Sequence, residues 1–225
     1  MMQQLLLQLA PPPAPTLENY VPGGRNGAVL QALRDIARGA GTERFVYLWG
    51  DPGSGRSHLL RGLAEAASAR HALYLGGTPA SDTADDGVIA MDNVQDLSAG
   101  DQVALFDLYN RVRASGGALV ASGDAAPAQL ALREDLRSRL AWGLAFQLHP
   151  LSDAEKTAAL RAHARGRALD LGDDVINYLL KHARRDMASL IGILDALDRY
   201  SLEQKRPITL PLVREALQTL SRNSP

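Results

Sequence analysis

The chain has 225 residues, 46% of them hydrophobic, and its 24 Lys and Arg nearly balance 25 Asp and Glu for a net charge of -1. That length and apolar content bury a real core, one domain of ordinary size plus a small appendage, while the charge balance argues against a broadly basic surface for gripping DNA. Cysteine is absent, which excludes disulfides and thiolate metal sites, and the five histidines show no metal-ligand spacing.

Met1 to Leu9 is apolar, yet it lacks a positive n-region and is cut by Gln8. It does not read as a secretory signal, and no run is long enough to span a membrane, so a cytoplasmic protein is expected. Pro11 to Pro13 hold the following stretch extended, making residues 1–15 a peptide and tether. Asn26 to Arg38 has a helical period, with Asn26 as cap and Gly39 and Gly41 as stop signals. Then come strand Phe45 to Trp49, helix Ser57 to Ala69, strand Ala72 to Leu75, a loop from Gly76 to Gly87, and strand Val88 to Met91. Asp101 to Ser115 is amphipathic, offering Val103, Leu105, Phe106, Leu108 and Val112 for burial, and Gly116-Gly117 ends it before strand Ala118 to Ala121. A helical turn, Arg133 to Leu140, and a last strand, Leu144 to Leu148, complete the alternation. Such alternation implies parallel strands with crossover helices, an α/β domain over residues 16–150. After Pro150 only helices follow: Asp153 to Arg167, Asp173 to Lys181, Arg185 to Ser201 and Leu210 to Leu220, a small all-helical lid domain over residues 151–225. Ser152 with Glu155 three residues on spells a capping box at its start.

The most informative string is Gly50-Asp51-Pro52-Gly53-Ser54-Gly55-Arg56-Ser57, placed between the apolar run Phe45 to Trp49 and a helical pattern. Strand, glycine-rich loop and helix together make a phosphate-binding loop, in which backbone N–H groups and the helix N-terminus cradle a polyphosphate. Glycines at 50, 53 and 55 permit the close approach. Arg56 stands where a lysine is usual. It keeps the charge but is a planar fork, so binding survives while the tight geometry around a reacting γ-phosphate is weakened. His58, next along, is most simply a residue of the loop helix. Val88 to Met91 then delivers Asp92, an acid at a strand end placed to hold Mg²⁺ together with the Ser57 hydroxyl. Asn93 follows, where many hydrolytic ATPases carry a second carboxylate, and an amide cannot act as a base. Arg56 and Asn93 together point to ADP or ATP held as a structural or regulatory ligand, with weak or no intrinsic ATPase.

These residues resemble the AAA+ ATPases, and specifically the DnaA branch. Ser138-Arg139-Leu140-Ala141-Trp142-Gly143-Leu144 is similar to the Ser-Arg-Phe-Gly-Trp-Gly-Leu segment of DnaA initiators, and Leu17-Glu18-Asn19-Tyr20-Val21 to their opening Phe-x-Asn-Phe-Val. The resemblance implies an AAA+ P-loop parallel sheet flanked by helices, followed by a helical lid, and places Tyr20 and Val21 beside the nucleotide. The chain ends at the lid without a C-terminal helix-turn-helix domain, and it opens on a short peptide where initiators carry a folded domain. With Gly55-Arg56-Ser57-His58-Leu59-Leu60 and Asp107-Leu108-Tyr109-Asn110-Arg111, that architecture resembles the DnaA-related regulators that inactivate the initiator.

Gln4-Leu5-Leu6-Leu7-Gln8-Leu9 fits Gln-Leu-x-Leu-x-Leu, and so resembles the hexapeptides by which proteins dock on the bacterial sliding clamp, the DNA polymerase III beta subunit. The Gln4 amide both donates and accepts, while alternate leucines, Leu5, Leu7 and Leu9, point to one side of an extended backbone; the plainer reading is a frayed terminus or a strand packed on the protein's own core. Three buried leucines contribute up to about 5 to 9 kcal/mol before ordering costs, a micromolar or weaker contact that needs avidity or a second site.

In a DnaA-like fold the helix before the last strand sits at the subunit edge, so Arg139 resembles an arginine finger that reaches a neighbour's nucleotide in trans. A surface arginine paired with Asp135 or Glu134 is the plainer reading of Arg139, and Arg137 is the near competitor for the finger. Asp124 matches the initiator's sensor position beside the γ-phosphate, and a strand-end aspartate is also a common turn former. In the lid, Ala188 falls where the family places a sensor arginine. Either Arg184 or Arg185 takes over that contact, or the lid does not read the phosphate. The resulting expectation is a regulatory adaptor acting on the initiator DnaA, reaching DNA mainly through the clamp, with no membrane role and with homo-oligomers compatible with the fold. The alternative is an ATP-driven motor of the initiator or helicase-loader kind acting on nucleic acid, which requires vigorous turnover; Arg56, Asn93, Ala188 and the near-neutral charge stand against it.

Overall fold

The computed structural model describes residues 14–79, 84–167, 169–184, 186–204 and 206–215. Alternating apolar runs and helical patterns fold into α1 (Gly27–Arg38), β1 (Phe45–Trp49), α2 (Arg56–Ala66), β2 (Leu73–Leu75), β3 (Val88–Met91), α3 (Ala99–Ser115), β4 (Ala118–Gly123), α4 (Glu134–Trp142) and β5 (Leu144–Gln147). The strands form one five-stranded sheet in the order β2-β3-β4-β1-β5, parallel throughout. Every residue of β3 and β4 is buried, as central parallel strands covered on both faces require, whereas β5 at the edge is mostly exposed.

The period of two along each strand sorts side chains onto two cores. Val46, Leu48, Val88, Ala90 and Val120 meet Leu33 and Ile36 of α1 and Leu59, Leu60 and Leu63 of α2 on one face. Tyr47, Ile89, Met91, Leu119 and Ala121 meet Leu105, Leu108 and Val112 of α3 and Leu136 and Leu140 of α4 on the other. Truncating a fully buried leucine such as Leu48 or Leu108 to alanine costs about 2 to 5 kcal/mol at sites this enclosed.

Several boundaries differ from the sequence reading, each for a local reason. The third helix begins at Ala99 rather than Asp101, because the Ser98 hydroxyl caps it by accepting from the Asp101 N–H at 3.2 Å. Val103 on that helix is exposed and Phe106 only half-buried, so the burial expected of both is incomplete. The loop helix starts at Arg56 and stops at Ala66, with a single 3-10 turn over Ser68–Arg70 in place of its last expected residues. Asn26 sits at the N-cap of α1 but does not cap it. Its side chain accepts from the His149 N–H at 3.0 Å and donates to the His149 carbonyl at 2.8 Å.

Contacts divide the chain between Pro150 and Leu151, with Pro15–Pro150 as one compact unit. In the C-terminal unit α5 (Asp153–Gly166), α6 (Asp173–His182) and α7 (Met187–Gln204) pack Leu160, Val175, Leu179, Leu190, Leu194 and Leu212 into their own core. The expected capping box is present, Ser152 accepting from the Glu155 N–H while the Glu155 carboxylate accepts from Ser152 N–H at 2.8 Å. The last of these helices begins later than expected because Asp186 caps it, its carboxylate accepting from the Ser189 N–H at 2.9 Å. Residues 210–215 are helical, and the remainder of that expected helix lies outside the described residues.

Candidate functional site

Parallel strands carry their outgoing loops at one edge, and the register fixes what meets there. Ala121 of β4 is level with Tyr47 of β1 on one side and Met91 of β3 on the other, so the loop after β1 and Asp92 after β3 both stand at the carboxyl edge, two strands or about 10 Å apart. Gly53 and Gly55 hold φ of 81° and 100°, a region that penalises any Cβ. Beyond φ, a Cβ on Gly55 would lie 2.7 Å from the Tyr20 ring, and one on Gly50 2.4 Å from the Leu148 carbonyl. Gly55 therefore answers both backbone and packing. Asp51, Pro52 and Gly53 form the exposed tip, and Ser57 and His58 are half-buried in the first turn of α2.

Within this loop the buried Ser54 hydroxyl and Nη1 of Arg56 have no hydrogen-bond partner among the described residues. Buried polar groups left unmatched beside a helix N-terminus fit an anionic ligand that completes them. The charge of Arg56 also reaches Tyr47. Burial pushes the Tyr47 phenol up, Asp124 adds to the shift and Arg56 opposes it, while its hydroxyl donates to the Ala125 carbonyl at 2.9 Å. Asp124 itself is exposed past the end of β4.

The opening segment closes one side of the loop. Leu17 is fully buried, a Cβ on Gly62 would press on the Thr16 backbone at 2.7 Å, and His58 Nε2 meets the Thr16 carbonyl at 3.0 Å. Tyr20 and His58 lie with ring centroids 5.6 Å apart. Burial raises the Tyr20 phenol to about 12 against an opposing hydrogen bond from Asn26, and burial lowers His58 against its bond to Thr16. Both are neutral at pH 7. Val21, half-buried, follows Tyr20.

Asp92 is buried with both oxygens engaged. Oδ1 accepts from the Ser122 hydroxyl and, at 3.1 Å, from the Asn93 N–H, while Oδ2 accepts from the Tyr74 hydroxyl at 2.8 Å. Burial, followed by the Asp92 hydrogen bond and charge, raises Tyr74, so it stays a donor. Asn93 has φ of 55°, a left-handed conformation that asparagine tolerates better than most residues, which gives its amide a backbone reason as well as a chemical consequence. Nothing in the sequence marks Tyr74 or Ser122 for this role: it is the register that sets Tyr74 level with Ala90 and Ala121, the residue before Ser122, level with Met91.

Arg139 lies in the last turn of α4 on the other side of the sheet. Its guanidinium stands 4.3 Å from the Trp142 ring centroid, 5.6 Å from Phe106 and 5.9 Å from Tyr109. The carboxylate nearest in sequence, Asp135, is taken by Arg133 in a two-pronged contact at 2.8 and 3.2 Å, which holds its carboxyl below the ordinary range. Arg137 is half-buried on the same helix. In the C-terminal unit Ala188 is the second residue of α7, Arg184 faces Asp186 at 3.4 Å, and Arg185 lies outside the described residues, as do Gln4, Leu5, Leu7 and Leu9.

Domain III of the replication initiation protein DnaA from Thermotoga maritima superposes with a TM-score of 0.71 at 22% identity, over 92% of this chain and 96% of that one. The AMPPCP-bound DnaA from Aquifex aeolicus matches at 0.67 and 19%, over 85% of this chain and 66% of that one. A Thermotoga maritima RuvB variant matches at 0.60 and 17%, over 92% and 71%. The family profile describing the Hda lid domain matches residues 153–217. Loop, sheet order and helical unit give the chain the AAA+ fold of these DnaA structures, a parallel sheet flanked by helices and followed by a helical lid. The C-terminal helices are similar to the lid domain of Hda. Among the described residues no helix is long and apolar enough to cross a membrane.

Proposed function

We propose that this protein is a regulatory AAA+ adaptor of the cytoplasm. It holds ADP or ATP in its own loop, docks on the DNA-loaded sliding clamp through Gln4, Leu5, Leu7 and Leu9, and presents Arg139 to ATP-bound DnaA. The initiator's ATP is then hydrolysed faster, and replication initiation is negatively regulated. The observation that carries this reading is the contrast between Arg139, held by aromatic rings, and a resident loop and strand end that depart from pattern at Arg56 and Asn93.

A bound nucleotide supplies the phosphate charges that this chain is arranged to meet. The glycine loop offers N–H donors, Ser54 and Arg56 offer unmatched polar atoms, and Ser57 with Asp92 holds Mg²⁺. Asn93 cannot take a proton from water, so the resident nucleotide is kept more than it is turned over. Arg139 acts elsewhere: a guanidinium placed on a neighbour's γ-phosphoryl stabilises the charge that develops there, an effect worth about 10³ to 10⁵ in rate in other nucleotide hydrolases.

The test measures ATP turnover by the protein alone, and then with clamp, DNA and initiator. Slow turnover alone and stimulation in the full mixture are expected. Arg139→Ala should remove the stimulation while leaving the protein's own ADP and clamp binding near normal, and Arg139→Lys should restore little, since an ammonium lacks the planar fork. Vigorous turnover by the protein alone on single-stranded DNA would replace this reading with the motor. Stimulation by Arg139→Ala equal to the parent would move the finger, with Arg137 next in line.

A further inference from the structure

We infer that Trp142 is a positioning residue: its exposed indole, braced by Arg113, holds the Arg139 guanidinium ready for the partner's nucleotide. The inference rests on the proposed role of Arg139 and adds the group that makes that role efficient.

Trp142 is 62% exposed, which is unusual for so large an apolar ring and is not explained by the core. Two cations lie over it, Arg139 from its own helix at 4.3 Å and Arg113 from α3 at 5.2 Å. The spacing from 139 to 142 is one helical turn, which brings the two side chains onto a common face. The backbone on the far side of Trp142 is fixed as well. A Cβ on Gly143 would lie 2.0 Å from the Phe45 carbonyl, so only glycine lets the end of α4 press this closely on the start of β1. The ring is thereby anchored at its backbone and along its face.

An arginine that is to meet phosphates needs to be charged, ordered and free of a competing anion. A salt bridge would order Arg139 but leave a carboxylate to displace and to repel the ligand. Aromatic faces order it without that cost, and the adjacent acid is already occupied by Arg133. Arg113 has a separate use, tying the indole to α3 so that the platform does not swing with its burden.

The experiment compares the parent, Trp142→Phe, Trp142→Leu, Arg139→Ala and the Trp142→Leu/Arg139→Ala pair in clamp-dependent stimulation of the initiator's ATP hydrolysis, titrating each adaptor to saturation. A flexible Arg139 loses the oriented fraction that stacking maintains, so Trp142→Leu should lower the saturated rate by roughly three- to tenfold, while the half-saturating concentration stays within about twofold. Trp142→Phe, which keeps a ring, should retain at least about half of the rate. In the Arg139→Ala background Trp142→Leu should change nothing further. A readout independent of the initiator is the collisional quenching of Trp142 fluorescence, which should increase in Arg139→Ala once the covering guanidinium is gone. If Trp142→Leu and the parent give equal saturated rates while Arg139→Ala is inactive, the positioning role is overturned and the finger stands. If Arg139→Ala matches the parent, or the parent does not stimulate at all, the reading of Arg139 fails and this inference falls with it.

Discussion

The hydroxyl of Tyr74 donates to Oδ2 of Asp92 at 2.8 Å, so the acid expected to face Mg²⁺ is tied to the neighbouring edge strand. Its other oxygen serves Ser122 and the Asn93 N–H, and any metal contact has to replace or share one of these bonds. ADP is expected to bind and raise the melting temperature, with about 2.7 kcal/mol gained when the ligand stands at 100 times its Kd. Chelating Mg²⁺ should weaken binding only modestly in the parent. Tyr74→Phe frees Oδ2 and should enlarge the Mg²⁺ dependence of the ADP Kd, read by calorimetry with and without EDTA. Equal Mg²⁺ dependence in both proteins would show that the Tyr74 bond does not compete with the metal.

Gly55→Ala tests the loop. A left-handed φ costs an alanine about 1 to 2 kcal/mol, and the new methyl also strikes the Tyr20 ring. We expect a lower urea midpoint and loss of the ADP-induced thermal shift. Tyr20→Ala should relieve the clash without relieving the backbone, so the double variant should recover only part of the stability.

His58 gives the pH prediction. Burial lowers its pKa from 6.5, so between 6.5 and the folded value the unfolded chain binds more protons than the native one. Its contribution is complete above 6.5 and lost as the pH falls through that window. Urea midpoints should therefore drop as the pH falls below about 6.5, and His58→Gln should flatten the drop. A profile unchanged by the substitution would assign the acid sensitivity to other groups.

For the clamp peptide, replacing Gln4, Leu5 and Leu7 together with alanine should abolish co-elution with the sliding clamp. Circular dichroism should not change, since these residues precede the proline tether. Retained co-elution would mean that the Gln-Leu-x-Leu-x-Leu pattern is not the contact.

Much of the fold was legible because burial imposes period on sequence. Val88 to Met91 and Phe45 to Trp49 are uninterrupted apolar runs, and the structure keeps both boundaries. The glycines of the phosphate loop were legible for the related reason that special φ leaves few residue choices. Contacts made by side chains across strands leave no such trace. Nothing in Leu73-Tyr74-Leu75 announces a hydrogen bond to an acid eighteen positions away, and Asn26 reads as a helix cap although its amide reaches His149 instead. The setting of Arg139 lay between these cases: the motif flagged the arginine, but the rings that hold it come from α3 and from its own next turn, and only packing brings them together.

The close approach of Gly143 to Phe45 makes β1 a rod with a working group at each end. Phe45 meets the close of the Arg139 helix, and Trp49, about 13 Å along, runs directly into the phosphate loop. A strand buried at its centre bends little, so a displacement at one end is felt at the other. Coupling through such a rod is reciprocal by thermodynamic necessity. On the proposed adaptor role, whatever factor the resident nucleotide applies to engagement of the initiator, the initiator must return to the nucleotide's own affinity, so the Kd for ADP becomes a gauge of whether the initiator is bound.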